Sequence, residues 1–245
     1  MSLITIYNPL EQFEIIPLIS YYILITTSNF FFLIIFVIYI LFFIGILHSI
    51  FFYKYFWQYI IESIYTIILD LVKQQINKEG ENYFPYLFSL FIFILISNLL
   101  GLIPYSFTLT SQFILTASLS FSTFIGVIII ALTKHSSKWL YSFIPKDIIL
   151  FLKPFLLIIE IISYLIRPFS LSIRLFANML AGHTLLHIIA SFVFFIKKQN
   201  YFIFFIPFIF LFLIILLEIG IAFIQAYVFL ILSSIYINDS ISLPH

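Results

Sequence analysis

The sequence predicts an all-α integral membrane protein. It has about three transmembrane spans, an interfacial amphipathic helix, and a C-terminal hairpin of two overlong, steeply tilted helices. Three observations carry this expectation. Of 245 residues, 64% are hydrophobic and only 9% are charged, whereas soluble domains carry about 25% charged residues. Mean hydropathy is +1.22, and no soluble core hides that much apolar surface, so lipid is the solvent. Most of the charges sit in short stretches between long apolar runs or on one side of a single amphipathic segment. Residues 1–245 read as a single membrane domain.

The first span falls within residues 22–52, uncharged unless His48 takes a proton. Residues 56–77 differ. Gln58, Glu62, Thr66, Asp70, Lys73 and Asn77 recur every three or four positions, with Ile60, Ile61, Ile64, Ile68 and Val72 on the other side. That pattern predicts a helix lying in the membrane interface. A polar loop, Gln75–Asn82, ends it. Residues 86–132 hold two spans: Tyr86–Ile103, stopped by Pro104, and Phe113–Leu132. The uncharged loop Tyr105–Gln112 joins them.

Residues 147–236 are almost continuously apolar, interrupted by Pro154, Pro168 and the polar turn Lys197–Asn200. The part from Asp147 to Phe195 would run about 70 Å as helix and the part from Phe202 to Tyr236 about 50 Å. The hydrocarbon core is about 30 Å thick, so these segments either break or lie steeply inclined. Lysine placement sets the orientation. With the N-terminus outside, the inner side receives Lys54, Lys73, Lys78, Lys134, Lys138 and Lys146, and the outer side only Lys197 and Lys198.

Composition also excludes. A net charge of +1 does not suggest nucleic acid, and the lack of cysteine removes disulfides and thiolate metal sites. The N-terminal stretch carries Glu11 and Glu14 but no early Lys or Arg, unlike a signal or transit peptide. The 34 Phe and 16 Tyr, with abundant Ile, read as the codon bias of an AT-rich genome, organellar or bacterial. No metal or other cofactor is expected.

Four charges remain deep in the long hairpin: Glu160, Arg167, Arg174 and Glu218. A charge at the bilayer centre costs at least about 2.5–3.5 kcal/mol, so such residues face protein or water and are functional by default. The bland alternative is a structural ion pair. Glu160, Arg167 and Arg174 are spaced by seven, nearly two turns, and Asn178 adds another turn, so all four share a face if Pro168 leaves the helix continuous. Ser163 and Ser170 lie close to that face. Ala177, Ala181 and Gly182 are small enough for another helix to approach. His183, nine residues past Arg174, points about 180° away, towards the second long helix. There Glu218, Ala222 and Gln225 share one face. Histidine titrates near neutral pH and can relay protons. His187 reads as an ordinary packing residue. Arginine does not deprotonate in proteins, so Arg174 would block proton leakage and favour the charged form of a carboxylate brought beside it. This chain has no obvious mobile carboxylate for it, so the partner should come from another subunit.

The run from Ser170 through Arg174 and Asn178 to His183 resembles the signature of subunit a of F-type ATP synthases. Leu217–Phe229, containing Glu218 and Gln225, and Asn98–Tyr105 resemble further segments of that family, in the same order. Glu160, fourteen residues before Arg174, fits as well. His at 183 with Glu at 218 is similar to the mitochondrial and alphaproteobacterial form. The resemblance implies a non-catalytic, proton-translocating stator subunit in the mitochondrial inner membrane, or alternatively a bacterial plasma membrane. It would pack against a ring of c subunits and against stalk and accessory stator subunits, among lipids. Arg174 would face the ring carboxylate. His183, Glu218, Asn178 and Gln225 would line the outer half-channel, Glu160 with Ser163 the inner one, and Arg167 would be structural. The chain has no phosphate-binding glycine loop. A secondary transporter of a small anion would need inverted repeats, and none is found. A haem carrier needs His pairs on facing helices, whereas His183 and His187 share one helix. A purely structural scaffold has no need of Arg174.

Overall fold

The computed structural model describes residues 13–15, 27–49, 56–76, 80–103, 106–135, 153–199 and 205–242. Among the described residues there are six α-helices, one short 3-10 turn and no β-strand. The helices are α1 (Thr27–Ser49), α2 (Phe56–Ile76), α3 (Gly80–Gly101), α4 (Phe113–His135), α5 (Lys153–Gln199) and α6 (Phe205–Ile241). Helices α3, α4, α5 and α6 are each apolar and long enough to cross a membrane. Helix α1, 23 residues without a charge, reaches about 34 Å, also the length of a span. The chain is therefore an all-α integral membrane protein.

It forms two compact units. The first comprises Met1–Gly45, Ile92–Gln112 and Leu175–Ala226; the second comprises Ile46–Phe91, Phe113–Arg174 and Tyr227–His245. All the divisions except that after Gln112 fall within helices, so α1, α3, α5 and α6 contribute to both.

In the second unit, α2 is amphipathic as its spacing requires. Ile68, Val72 and Ile76 are buried, while Glu62, Thr66, Asp70 and Lys73 are exposed. Gly80 opens α3 against this apolar stripe: a methyl group there would lie 3.1 Å from Ile76 Cβ. Tyr65 meets the rings of Phe84 and Phe88 at 4.9 and 5.6 Å. Lys73 pairs with Glu81 at 3.0 Å, an exposed contact of small energetic weight. Helix α4 buries Thr116, Ser120 and Thr123 on one face, each hydroxyl donating to the carbonyl three residues before it. Their polar groups are thereby satisfied inside the helix, and the small side chains leave room for a neighbour. Phe121 and Phe124 of α4 meet Phe169 and Tyr164 of α5, both at 5.0 Å.

In the first unit the connection Ser106–Gln112 is not a surface loop. Phe107, Thr108, Leu109, Thr110 and Ser111 are all buried. Its polar atoms largely bond locally: Thr108 Oγ1 donates to Ser111 Oγ, and Ser111 Oγ to the Thr108 carbonyl, both at 2.6 Å. Ser106 Oγ reaches the carbonyls of Leu100, Gly101 and Ile103, satisfying acceptors that every helix end leaves open. Helix α3 thus ends at Gly101, just before the expected stop at Pro104, which lies outside the described residues.

Helix α5 is one continuous helix of 47 residues, with Pro168 inside it. Proline removes one backbone bond and kinks helices, but here it does not break the run. Pro154 occupies the second position, where its missing N–H costs nothing. Helix α6 has 37 residues and runs past the expected end at Tyr236. Ser240 Oγ and Ser242 N bond back to Ile237 and Asn238 carbonyls and keep the last turn closed. These helices are about 70 and 55 Å long, far beyond the hydrocarbon thickness. The expectation of an overlong pair stands on those lengths.

Candidate functional site

The first unit gathers polar side chains where α5 and α6 run antiparallel. Asn178 Nδ2 donates to Gln225 Oε1 at 2.9 Å, and further along α5 Gly182 lies against Glu218. A methyl at Gly182 would sit 2.9 Å from Glu218 Oε1. The reason is local. Glu218, Ala222 and Gln225, at intervals of four and three, form with Ala226 the buried stripe of α6, while glycine at 182 leaves space for the carboxyl group. Glu218 is 6% exposed, and neither carboxylate oxygen has a hydrogen-bond partner.

His183 follows Gly182 and faces elsewhere. Its ring stands edge-on to Phe13 at 6.4 Å, and a methyl on Gly101 of α3 would lie 3.8 Å from its Nε2. That nitrogen is buried and also unpartnered. Phe13 is itself held by Gln112, whose Nε2 donates to its carbonyl at 2.9 Å. The sequence turns His183 towards the second long helix, whereas its described neighbours are Phe13 and α3; Gly182 is the residue that meets Glu218, and no hydrogen bond joins His183 to Glu218. His187, expected as a packing residue, is exposed.

Two residues that the sequence reading left without a role join this cluster. Asn98, fully buried on α3, reaches the Ala222 carbonyl at 3.5 Å and leaves its Oδ1 unpartnered. Thr110 is fully buried with an unpartnered hydroxyl. Asn98 had a signal, being a polar residue in an apolar span. Thr110 had none, because the burial of its short connection is a tertiary fact. Burying a polar group without a hydrogen bond is costly, by roughly 1–3 kcal/mol. Several such atoms in one compact unit point to a place that handles water or protons.

The second unit holds the other expected residues. Arg174 is exposed on α5 and makes no hydrogen bond or ion pair with another described residue. Glu160 is half-buried and Ser163 exposed on the same helix. Arg167, two turns before Arg174, is engaged. Its Nη1 meets Asp239 Oδ2 at 3.0 Å, and its guanidinium lies 5.3 Å from the ring centres of both Tyr164 and Tyr236. The structure thus separates two arginines of identical spacing. Arg167 is held by its own chain, and Arg174 is open to whatever lies outside it.

Comparison with known proteins identifies the family. Residues 23–238 match the family model described as ATP synthase A chain. ATP synthase subunit a of Acanthamoeba castellanii is 44% identical over 98% of this chain and 100% of its own length. The Trichophyton rubrum subunit a is also 44% identical, over 97% and 98% respectively. The Arabidopsis thaliana protein named ATP synthase subunit a-2 is 40% identical over 99% of this chain and 74% of its own. The match runs through the long helices that carry Arg174, Glu218 and the buried polar cluster, and this chain belongs to the ATP synthase subunit a family.

Proposed function

We propose that the chain is the proton-translocating stator subunit of a rotary ATP synthase, with no catalytic site of its own for ATP. A single observation carries this reading. Arg174 stands exposed on a membrane-length helix without a carboxylate among the described residues to neutralise it. A permanent charge at that depth costs several kcal/mol unless a partner or water meets it. The partner fitting this need is the ionisable carboxylate of a c-subunit ring. Further stator subunits, stalk and accessory, would complete the surroundings, in the inner mitochondrial membrane with the N-terminus in the intermembrane space and the C-terminus in the matrix. The eukaryotic origin of the three relatives supports that membrane over a bacterial one.

The mechanism follows from two water-accessible half-channels that never join. A proton enters past His183 and Glu218, near Asn178 and Gln225, and neutralises a ring carboxylate. The neutral group then travels through lipid, since its charge no longer opposes entry. On reaching the side of Glu160 and Ser163 it gives the proton up. Arg174 pairs briefly with the bare carboxylate and keeps protons from crossing directly, because it does not itself deprotonate. The membrane potential supplies about 2.3 kcal/mol per proton per 100 mV.

Replacing Arg174 with Ala in the intact complex, reconstituted into vesicles, should abolish ATP synthesis driven by a proton gradient. Synthesis at the wild-type rate would refute the role.

A further inference from the structure

We infer that a cavity between α3, α4 and the end of α6 is the binding site for one acyl chain of a membrane phospholipid, with Lys134 placed for the lipid's phosphate. The site stands apart from the proton path and does not depend on it.

The cavity holds about 250 Å³ and lies wholly within the second unit. Tyr83 and Tyr86 of α3 form one wall, Gly126 and Ile129 of α4 another, and Ser233 and Ile237 of α6 a third. Gly126 opens the space: a methyl group built there meets nothing within 4 Å. The polar groups in the walls are already engaged. Thr123 Oγ1 donates to the Ser120 carbonyl and Ser233 Oγ to the Leu230 carbonyl, and the Tyr86 hydroxyl has Ser122 within reach. A water held inside a protein needs about two to four polar partners, so this space suits hydrocarbon and not water. An apolar cavity of about 150 Å³ stays dry and takes up benzene, and on that scale 250 Å³ accepts about ten carbon atoms. That is more than a phenylalanine side chain supplies, and it fits a stretch of one fatty chain.

Depth and access select the occupant. Helix α3 starts at Gly80, while α4 and α6 end at His135 and Ile241, so these wall residues all lie within about 15 Å of their helix ends. That is half the hydrocarbon thickness, the depth reached by the fatty chains of one leaflet. Tyr86 and Ile129 line the cavity and are also exposed, so it opens sideways onto a surface that lipid covers. Lys134 follows Ile130 by four residues and Val127 by seven, and both of these line the cavity. It therefore stands on the same face of α4, one turn nearer the membrane surface. Lys134 is exposed, and an ammonium group there matches the phosphate of a phospholipid. A transmembrane helix of another subunit would have no need of a cation above the cavity. Ile237 lies about 200° round α6 from Asp239, so a fatty chain seated here braces from behind the turn that holds Arg167.

The test uses the intact complex in phosphatidylcholine vesicles whose lipid carries a diazirine midway along one chain. After irradiation, adducts on this subunit are mapped by mass spectrometry. They should concentrate around Tyr86, Gly126 and Ile129. Gly126→Leu fills the space from a position with no close neighbour, and should cut that labelling about tenfold or more, the scale of an overpacked site. Ser118→Leu, about two turns earlier on α4 and exposed, should leave it unchanged. Lys134→Gln should lower it about two- to fivefold, the weight of one exposed charge contact. Labelling spread evenly along the exposed side of α4 and unmoved by Gly126→Leu would mean ordinary surface lipid and overturn the proposal. So would a thiol introduced as Gly126→Cys that crosslinks to another subunit while the peptides around it take no label, because a protein side chain would then fill the space. Labelling unmoved by Lys134→Gln would overturn the phosphate contact. Should Gly126→Leu not assemble, the wild-type map decides alone.

Discussion

Residue by residue, the decisive contrast is between charges that find partners and those that do not. Arg167 and Arg174 have the same spacing and helix, and sequence alone marks both as costly. Asp239 tells them apart, and it lies beyond the point where hydropathy ends the last helix. Glu218 stood out in the sequence because a carboxylate in an apolar run is costly unless it is paired or wet. Its close neighbour Gly182 was legible only as a small residue. A methyl there would meet Glu218 Oε1 at 2.9 Å, and the end of a flexible side chain yields more easily than backbone. Gly182→Ala should therefore leave assembly intact but displace the Glu218 carboxyl. Proton conductance of the reconstituted complex should fall by about 10²-fold, the low end of what a lost proton-transfer group costs. Wild-type conductance would show that the carboxyl position is unimportant.

Among the elements, periodicity performed well where one face meets lipid or water and the other meets protein. Helix α2 reads directly from its spacing, and Ile68 and Val72 are buried as that spacing requires. The overlong pair α5 and α6 was visible from length alone. Two features were not. The last turn of α6 past Tyr236 was not expected, because Asn238, Asp239 and Ser240 gain their reason only from Arg167 and from local hydroxyl bonds. The burial of the Ser106–Gln112 connection was not legible, because uncharged Ser and Thr read the same whether exposed or buried. The Arg167 clasp also sets an expected order of stability losses. Its ion pair is 35% and 48% exposed, so Asp239→Asn should cost below about 1 kcal/mol. Arg167→Ala also loses two stacked rings, each worth about 0.5–1 kcal/mol. Thermal unfolding of the solubilised complex should rank Arg167→Ala below Asp239→Asn. The reverse order would mean that the carboxylate, not the aromatic stacking, carries the contact.

At the scale of the whole molecule, much apolar surface remains uncovered. Along α5, Ile158, Ile162, Ile166, Phe169 and Ile173 are all large and exposed. Lipid covers such a face equally well, but an exposed arginine beside it favours a protein neighbour. Thiols introduced as Ile166→Cys and Ile173→Cys should form crosslinks to another protein subunit in native membranes, and products with lipid alone would argue against a ring there. One small bond has a separate consequence for biogenesis. Gln112 holds the Phe13 carbonyl across 99 positions of chain. A ribosome adding about 5–20 residues per second needs roughly 5–20 s between making one partner and the other. Through that interval the aromatic neighbour of His183 has no anchor at Gln112, so a nascent chain arrested before residue 112 should leave Phe13 open to protease and one arrested well after it should not.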